Sequence, residues 1–356
     1  MKTYHYLEKR VSETRQRFIG LLLTGAIAVA AILLGKIAVI AAMGFGTLTL
    51  AIIIGILLGN TVYPLMAKPC HEGVQFAKQR LLRLGIILYG FNLTFQQVLS
   101  VGLSAIAIDA IIVTTTFLLA YWLGRKILGI DAQTTLLIGS GASICGAAAV
   151  MAAEPIVKAD SSKIAVAVST VVIFGTLAMF LYPWLYQLNL AYHFIDISPS
   201  QFGIYLGSSV HEVAQVVAAG RAISDDASNA AVITKMIRVM MLAPFLLILS
   251  SYIGRMIGTD PEQQGTSAIV IPWFAVLFIV VAGFNSLHLL PAAWVNAIQL
   301  IDTLFLTMAM AALGLTTHIN AVREAGSKPL LLAALLFVWL IVGGLFINLA
   351  VHYFLG

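Results

Sequence analysis

Charge is what this sequence has least of. Only 10% of its 356 residues are Asp, Glu, Lys or Arg, where a soluble domain carries roughly 25%. That shortage excludes a sizeable soluble domain. With 60% hydrophobic residues, the class that remains is an all-α polytopic membrane protein. Cysteine is nearly absent too: Cys70 and Cys145 stand far apart and suggest no disulfide framework. No G-x-x-x-x-G-K-[ST] motif occurs, so ATP drive within this chain is not expected. No nucleophile and base recur at a recognisable fixed spacing, so the chain does not read as an enzyme, and nothing calls for a cofactor. The formal net charge of +5 does not argue for nucleic acid. The basic residues sit in short loops, where they orient a protein in a lipid bilayer.

What is present is a succession of apolar runs, at 18–34, 44–60, 81–98, 103–123, 163–183, 230–253, 270–287, 294–316 and 329–353. Each is near the ~20 residues that cross a bilayer as a helix. Residues 1–17, with Lys2, Lys9, Arg10, Arg15 and Arg17, read as a cytoplasmic N-terminal segment, and residues 18–356 as one integral transport domain. A basic start before an apolar run also describes a signal peptide. Further apolar runs follow at once, so a retained first helix is expected.

Two more apolar segments, at about 134–154 and 203–220, are of another kind. Ile138–Pro155 carries three glycines, two serines and a cysteine where a good helix would carry leucine. Glycine weakens a helix by about 1 kcal/mol relative to alanine. The text recurs at Leu206–Gly220, L-G-S-S-V-H-E-V-A-Q-V-V-A-A-G. Two broken apolar segments in corresponding halves point to the binding site of a transporter. The bland alternative is a pair of close-packed helices of the small-xxx-small kind.

Loop charge bears on the path of these segments. Lys68, Lys78 and Arg80 follow the second helix, Arg125 and Lys126 the fourth, and Lys158 and Lys163 the first broken segment. Arg255 lies in the polar linker 254–267, Arg323 and Lys328 precede the last helix, and 184–200 has no Lys or Arg. If all eleven segments crossed, Lys158 and Lys163 would fall outside and 184–200 inside, against the positive-inside rule. If each broken segment enters and leaves on one side, every basic loop lands inside except Lys36 and Arg221. Moreover, A-I-I-I-G-I-L-L-G-N60 resembles A-V-L-F-I-V-V-A-G-F-N285, and the run ending G-F-N-L-T94 resembles the one ending A-L-G-L-T316. In the same arrangement each pair points in opposite directions. The expected fold is therefore an inverted-repeat secondary transporter with nine full spans and two re-entrant or half-crossing helices, its second half in permuted order. Eleven spans is the alternative.

Four stretches carry a resemblance: L-R-L-G-I-I-L-Y-G-F at 82–91, G-A-S-I-C-G-A-A-A-V at 141–150, S-S-V-H-E-V-A-Q-V-V-A-A-G at 208–220 and K-M-I-R-V-M-M-L-A-P-F at 235–245. They closely resemble the YeiH-type inner-membrane proteins of bacteria, a family named for sulfate export. The likeness runs over nearly the whole chain after residue 40. It implies a multi-pass protein of the cytoplasmic membrane that exports a small inorganic sulfur oxyanion of the sulfate or sulfite type. More distantly, the family is similar to inverted-repeat carriers of cations, bile acids and auxin, and those architectures imply a homodimer.

The residues can also be read by their chemistry. An anion at membrane depth needs donors and positive potential, and helix N-termini supply both. Gly139, Ser140, Gly141, Ala142 and Ser143 are expected to form such a nest, with Gly146 beyond them and Ser208 and Ser209 facing from the other segment. The plain alternative for these serines is a bond to their own helix carbonyls. His211 and Glu212 lie inside an apolar stretch, with Gln215 one turn after His211. Buried ionisable groups imply a partner or a proton-handling task, so His211 or Glu212 is expected to carry the coupling proton. H-E-x-x-Q lacks the second histidine of a zinc pair, so no metal is expected. Lys235 and Arg238 lie one turn apart and either pair with Glu212 or face the anion, Arg238 being deeper and its planar fork suiting an oxyanion. Asp109 sits mid-span, as a further proton or cation site or as the partner of a cation such as Arg83. Asp302 and His318 are further polar residues at depth.

The expected function is a secondary transporter of a small inorganic anion, coupled to protons or sodium and working by alternating access. A carrier of an organic sulfonate or carboxylate, an anion channel and an intramembrane enzyme are the rival readings.

Overall fold

The computed structural model of the protein describes residues 2–37, 46–257, 272–317 and 325–355. His318, Arg323 and residues 258–267 of the expected linker lie outside the described residues. The helices are α1 (Lys2–Gly35), α2 (Thr47–Gly59), α3 (Tyr63–Phe76), α4 (Leu82–Tyr89), α5 (Phe95–Trp122), α6 (Ala132–Ser143), α7 (Ala147–Val157) and α8 (Ser161–Tyr192). There follow α9 (Pro199–Ser209), α10 (Val213–Arg221), α11 (Asp225–Met240), α12 (Leu242–Ile257), α13 (Trp273–Asn285), α14 (Ala292–Leu315) and α15 (Ser327–Leu355). Among the described residues no strand occurs. Among the described residues, six stretches are long and apolar enough to cross a membrane: 13–35, 104–127, 161–192, 225–252, 292–315 and 327–354. The contacts divide the chain into two compact units, Met1–Phe95 with Leu277–Ile319, and Gln96–Val276 with Asn320–Gly356.

In the first unit, the run expected at 81–98 starts far earlier. α3 passes through a π turn at Ala77–Leu81 into α4, so Cys70, His71 and Glu72 are helical. The charges that suggested a connection are accommodated on the helix: Arg80 is exposed, and Lys78 Nζ donates to Thr316 Oγ1 at 3.1 Å. α4 and α14 run antiparallel, because Lys78 meets Thr316, Gly85 meets Leu306 and Asn92 meets Asp302. α2 and α13, each 13 residues long, end alike. Asn60 Nδ2 donates to Thr317 O at 2.9 Å, just past α14. Asn285 Nδ2 donates to Phe91 O at 3.1 Å and Leu93 O at 2.9 Å, just past α4. The α2–α14 crossing needs glycine: a Cβ at Gly55 would lie 2.6 Å from Ala311 O.

The second unit holds both broken segments, and each is a helical hairpin. Asp131 caps α6, accepting from Thr134 N at 3.1 Å, and pairs with Lys163 at 3.0 Å. Gln133 Nε2 donates to Lys158 O at 2.9 Å, so the start of α6 lies beside the end of α7 and the chain has turned back between them. The other hairpin follows from contacts with α11. Gly203 meets Ala227 and Gly207 meets Ala231, so α9 runs with α11, while Gly220 meets Ser228 across the turn from α10, so α10 runs against it. At about 1.5 Å per residue, the 32-residue α8 is long enough to link the two bases. Its first turn holds the base of the α6–α7 hairpin through Lys163. Toward its far end, Tyr186 stacks edge-on to Phe202 and Tyr182 lies against Tyr205, so α9 descends along it. Of the aromatic residues near this end, Trp184, Tyr192 and Phe194 are exposed, whereas Tyr182 and Tyr186 are buried by α9. Midway along α8, Val171 touches Gly146 of one tip and Gly175 touches Gln215 of the other. The hairpins enter from opposite ends of α8 and meet at its middle.

Candidate substrate site at the hairpin tips

The first tip is Ile144–Gly146, where Gly146 has φ +72°, a conformation that L side chains rarely adopt. The second is Val210–Glu212, where Val210 and Glu212 are extended and interrupt the helix without a tight turn. Each tip therefore brings one helix C-terminus and one helix N-terminus to the same place. The C-termini of α6 and α9 offer free carbonyls and partial negative charge, the N-termini of α7 and α10 free amides and partial positive charge.

Two cations answer the carbonyls. Lys235 and Arg238 on α11 are both 0% exposed. Lys235 Nζ donates to Ile144 O at 2.7 Å and to Val210 O at 2.9 Å, and so joins the two tips. Arg238 donates from Nη1 to Ser208 O and from Nη2 to Val210 O. The amide ends face different company. In α7 the first bonds onto Gly146 O come from Ala149 and Val150, which leaves Ala147 and Ala148 N–H ahead of the intrahelical ladder. Beside them is the side chain of Glu212: a Cβ built on Gly146 would lie 2.7 Å from its Cγ and 3.4 Å from its Oε1. Glu212 is also the N-cap residue of α10, and its N–H donates to Gln215 Oε1 at 3.1 Å. Asp109, on α5, is 0% exposed, and neither of its oxygens takes a hydrogen bond from the described residues. Arg238 and Lys235 are the cations whose field reaches it. His211 is buried, and among the described residues its Nδ1 has no partner, nor has Gln215 Nε2.

The residues singled out in the sequence divide into two groups. Gly146, Ser209, His211, Glu212, Gln215, Lys235 and Arg238 come together at or beside the tips, and Asp109 lies within the electrostatic reach of Lys235 and Arg238. The stretch expected as an amide nest does not form one: Gly139, Ser140, Gly141 and Ser143 are the last turns of α6, and the break falls after them. Their small size serves packing, Gly139 against Phe117 and Ala120, Gly141 against Val150 and Val171. Ser140 donates to Leu136 O at 2.7 Å, Ser143 to Ser140 O at 3.3 Å and Ser208 to Tyr205 O at 3.0 Å, so these hydroxyl protons are used within their own helices. Arg238, expected to pair with Glu212 or to face an anion, bonds backbone carbonyls. Arg83, weighed as the partner of Asp109, is exposed on α4. The sequence did not point to Ile144 and Val210, whose roles are carried by backbone oxygen, nor to Asn348 on α15, which donates to Ser208 Oγ at 3.1 Å.

Two cavities, of about 320 Å³ and 290 Å³, do not reach the tips: one lies in the first unit beside Asn285 and Gln299, one in the second beside Asp131, Lys163 and Lys328. The tips hold the buried charge and the convergent donors, which makes them the candidate site.

Residues 19–333 match the family described as "Conserved hypothetical protein 698". The chain belongs to that family. A UPF0324 membrane protein of Yersinia pestis is 63% identical over 335 residues, 94% of this chain and 92% of that one. The UPF0324 inner membrane protein YeiH of Escherichia coli K12 is 59% identical over 333 residues, 94% of each chain. A UPF0324 membrane protein of Photorhabdus laumondii is 58% identical over 338 residues, 95% of this chain and 94% of that one. The likeness to YeiH-type proteins is therefore one of family, and with several helices long enough to cross, the chain is a multi-pass inner-membrane protein. No solved structure matches it.

Proposed function

We propose that this member of the family is a secondary transporter of a small inorganic anion of the sulfur-oxyanion type, working by alternating access around the two hairpin tips and coupled to protons or sodium. The observation that carries the reading is Lys235, wholly buried and bonded at once to Ile144 O and Val210 O. A buried cation that joins two helix breaks is costly to build for stability alone, since burying a charge loses hydration worth several kcal/mol. It is intelligible where an anion is to be bound away from water. α7 and α10 then offer amides from opposite ends of α8, and a tetrahedral oxyanion has oxygens for both.

The fold reading that goes with this is nine spans and two re-entrant hairpins related by an inverted repeat. Support comes from the antiparallel α4 and α14, the matched Asn60 and Asn285, and the two hairpins meeting tip to tip. With the N-terminus inside, the basic loops fall on the cytoplasmic side. Burial of the tips favours a carrier over a channel, which needs a continuous path in its open state.

Transport into inverted membrane vesicles, with labelled sulfate, sulfite and thiosulfate and with or without a pH gradient, tests the proposal. Saturable, gradient-driven uptake is expected. Gradient-independent flux marks a channel, uptake of organic sulfonates alone marks the other substrate class, and no flux of any anion removes the reading.

A further inference from the structure

We propose that Asp109 is the residue that carries the coupling proton, and that the site takes up one monovalent anion with each proton. This rests on the carrier reading above and adds to it the proton's address, the stoichiometry and the charge of the substrate.

The ionisable groups within one another's electrostatic reach are Lys235 and Arg238 on α11, Glu212 and His211 at the second tip, Cys145 at the first, Tyr182 on α8 and Asp109 on α5. Two carry positive charge and two can carry negative charge. With Asp109 and Glu212 both ionised and the other groups neutral, the cluster sums to zero. Uncompensated charge is expensive in so dry a place. A monovalent anion entering a balanced cluster leaves it one charge short, and one proton on a carboxylate restores the balance.

Geometry selects which carboxylate. Glu212 is the N-cap residue of α10, partly exposed, and lies beside the amide end of α7, two features that favour a negative charge. Asp109 has neither advantage. It is fully buried in the middle of a helix, and no described group donates to either oxygen. Among the described groups, the field of Arg238 and Lys235 is what supports its ionised form. An anion that settles near those cations takes up that field, and Asp109 is then best held neutral by a proton. The effect is reciprocal by linkage: a proton on Asp109 leaves the two cations with Glu212 alone, and the cluster then favours one more negative charge. The proton comes from water on the side where the anion enters and returns to water where it leaves. Asp109 is sealed in the present conformation, so both exchanges belong to open states. A dianion would require a second proton for balance, so a monovalent oxyanion is preferred to sulfate.

Calorimetric titration of the purified, detergent-solubilised protein tests this, with methanesulfonate as a permanent monoanion and sulfate as a dianion. Measurements near neutral pH in two buffers of different ionisation enthalpy give the number of protons taken up with each anion. The expected result is one proton per methanesulfonate, weaker sulfate binding, and methanesulfonate affinity that falls as pH rises. Asp109→Asn is expected to bind methanesulfonate with no proton uptake and no pH dependence, and Asp109→Glu to recover both. Binding to the natural protein without proton uptake, or unchanged uptake in Asp109→Asn, overturns the assignment and leaves the carrier reading standing. Tighter sulfate binding with a single proton overturns the charge rule. If Asp109→Asn does not fold, the proton count of the natural protein and of Asp109→Glu still decides. Absence of binding and transport for every anion removes the carrier reading and this inference together.

Discussion

Gly146 and Glu212 stand against each other where the two hairpins meet, so closely that a methyl group on Gly146 would lie 2.7 Å from Glu212 Cγ. The same methyl group would meet Val171 Cγ1 at 2.8 Å, and Gly146 holds φ +72°. Gly146→Ala is therefore opposed by backbone and side chain alike. A sparsely populated backbone state of this kind costs about 2 kcal/mol, which corresponds to roughly a 30-fold loss of anion affinity if the tip opens to relieve it. Gly102→Ala on α5 is the comparison, since nothing lies within 4 Å of its added carbon. It is expected to leave affinity and thermal stability unchanged or slightly raised. Equal behaviour of the two variants would show that the tip is not built on Gly146.

Lys235 is expected to be the costliest single side chain of the second unit to neutralise. Lys235→Met keeps the length and apolar stem but removes the donor from Ile144 O and Val210 O. Hydrogen bonds to charged groups contribute about 1.5–3 kcal/mol each, and the change also leaves Asp109 with Arg238 as its remaining cation. A fall in stability of about 3 kcal/mol or more is expected, read as a lowered melting temperature in detergent. Lys126→Met, on the exposed turn after α5, should not move it. A Lys235→Met protein as stable as the natural one would mean the two tips do not depend on this cation.

The sequence carried the existence of the two breaks better than their position. Glycine and serine in Ile138–Ser143 mark where helices approach closely, as Gly141 does against Val171, and close packing is not the same thing as a break. The turn itself lies at Ile144–Gly146, where the informative atoms are backbone carbonyls and amides that no side-chain type announces. Val210 is the clearer case, a β-branched apolar residue whose oxygen takes bonds from both Lys235 and Arg238. Loop charge was more informative. Lys158 and Lys163 suggested that one segment enters and leaves together, and Lys163 is a member of the clasp that holds its two ends. Charge misled at Lys78 and Arg80, which looked like a connection and lie within one continuous helical run.

Chemical labelling can settle the path of the chain. If α8 crosses the membrane and each hairpin returns to its own side, the bases lie on opposite faces. Cysteines placed at two exposed positions, Ser161→Cys beside the first base and Asp196→Cys before the second, report on this. In intact cells with the outer membrane made permeable, a membrane-impermeant maleimide is expected to label Cys at 196 and to reach 161 only after the inner membrane is opened. Labelling of 161 from outside would contradict the re-entrant path.

The clasp at the base of the first hairpin should respond to acid. Burial pushes the Asp131 carboxyl upward, but hydrogen bonds from Thr134 and the charge and bond of Lys163 outweigh it and hold the group below the usual carboxylate range. A carboxylate with a depressed folded-state pKa stabilises the fold above its unfolded value, near pH 3.9, and that contribution is lost as pH falls through the folded value. The hairpin base is thus expected to be firm at neutral pH and to loosen below about pH 4. Asp160, held down first by its bond from Ser162 and then by the amide of Lys163, titrates in the same sense, so a variant is needed to separate them. Amide hydrogen exchange at Thr134 and Thr135, corrected for the intrinsic pH dependence, is the measurement. Protection should fall in the natural protein as pH drops below about 4. In Asp131→Asn, where the charge is gone at every pH, protection should be lower at neutral pH and show no further step. Protection that is equal in the two proteins and stays level on acidification would mean the Asp131–Lys163 pair does not hold the two ends of the hairpin.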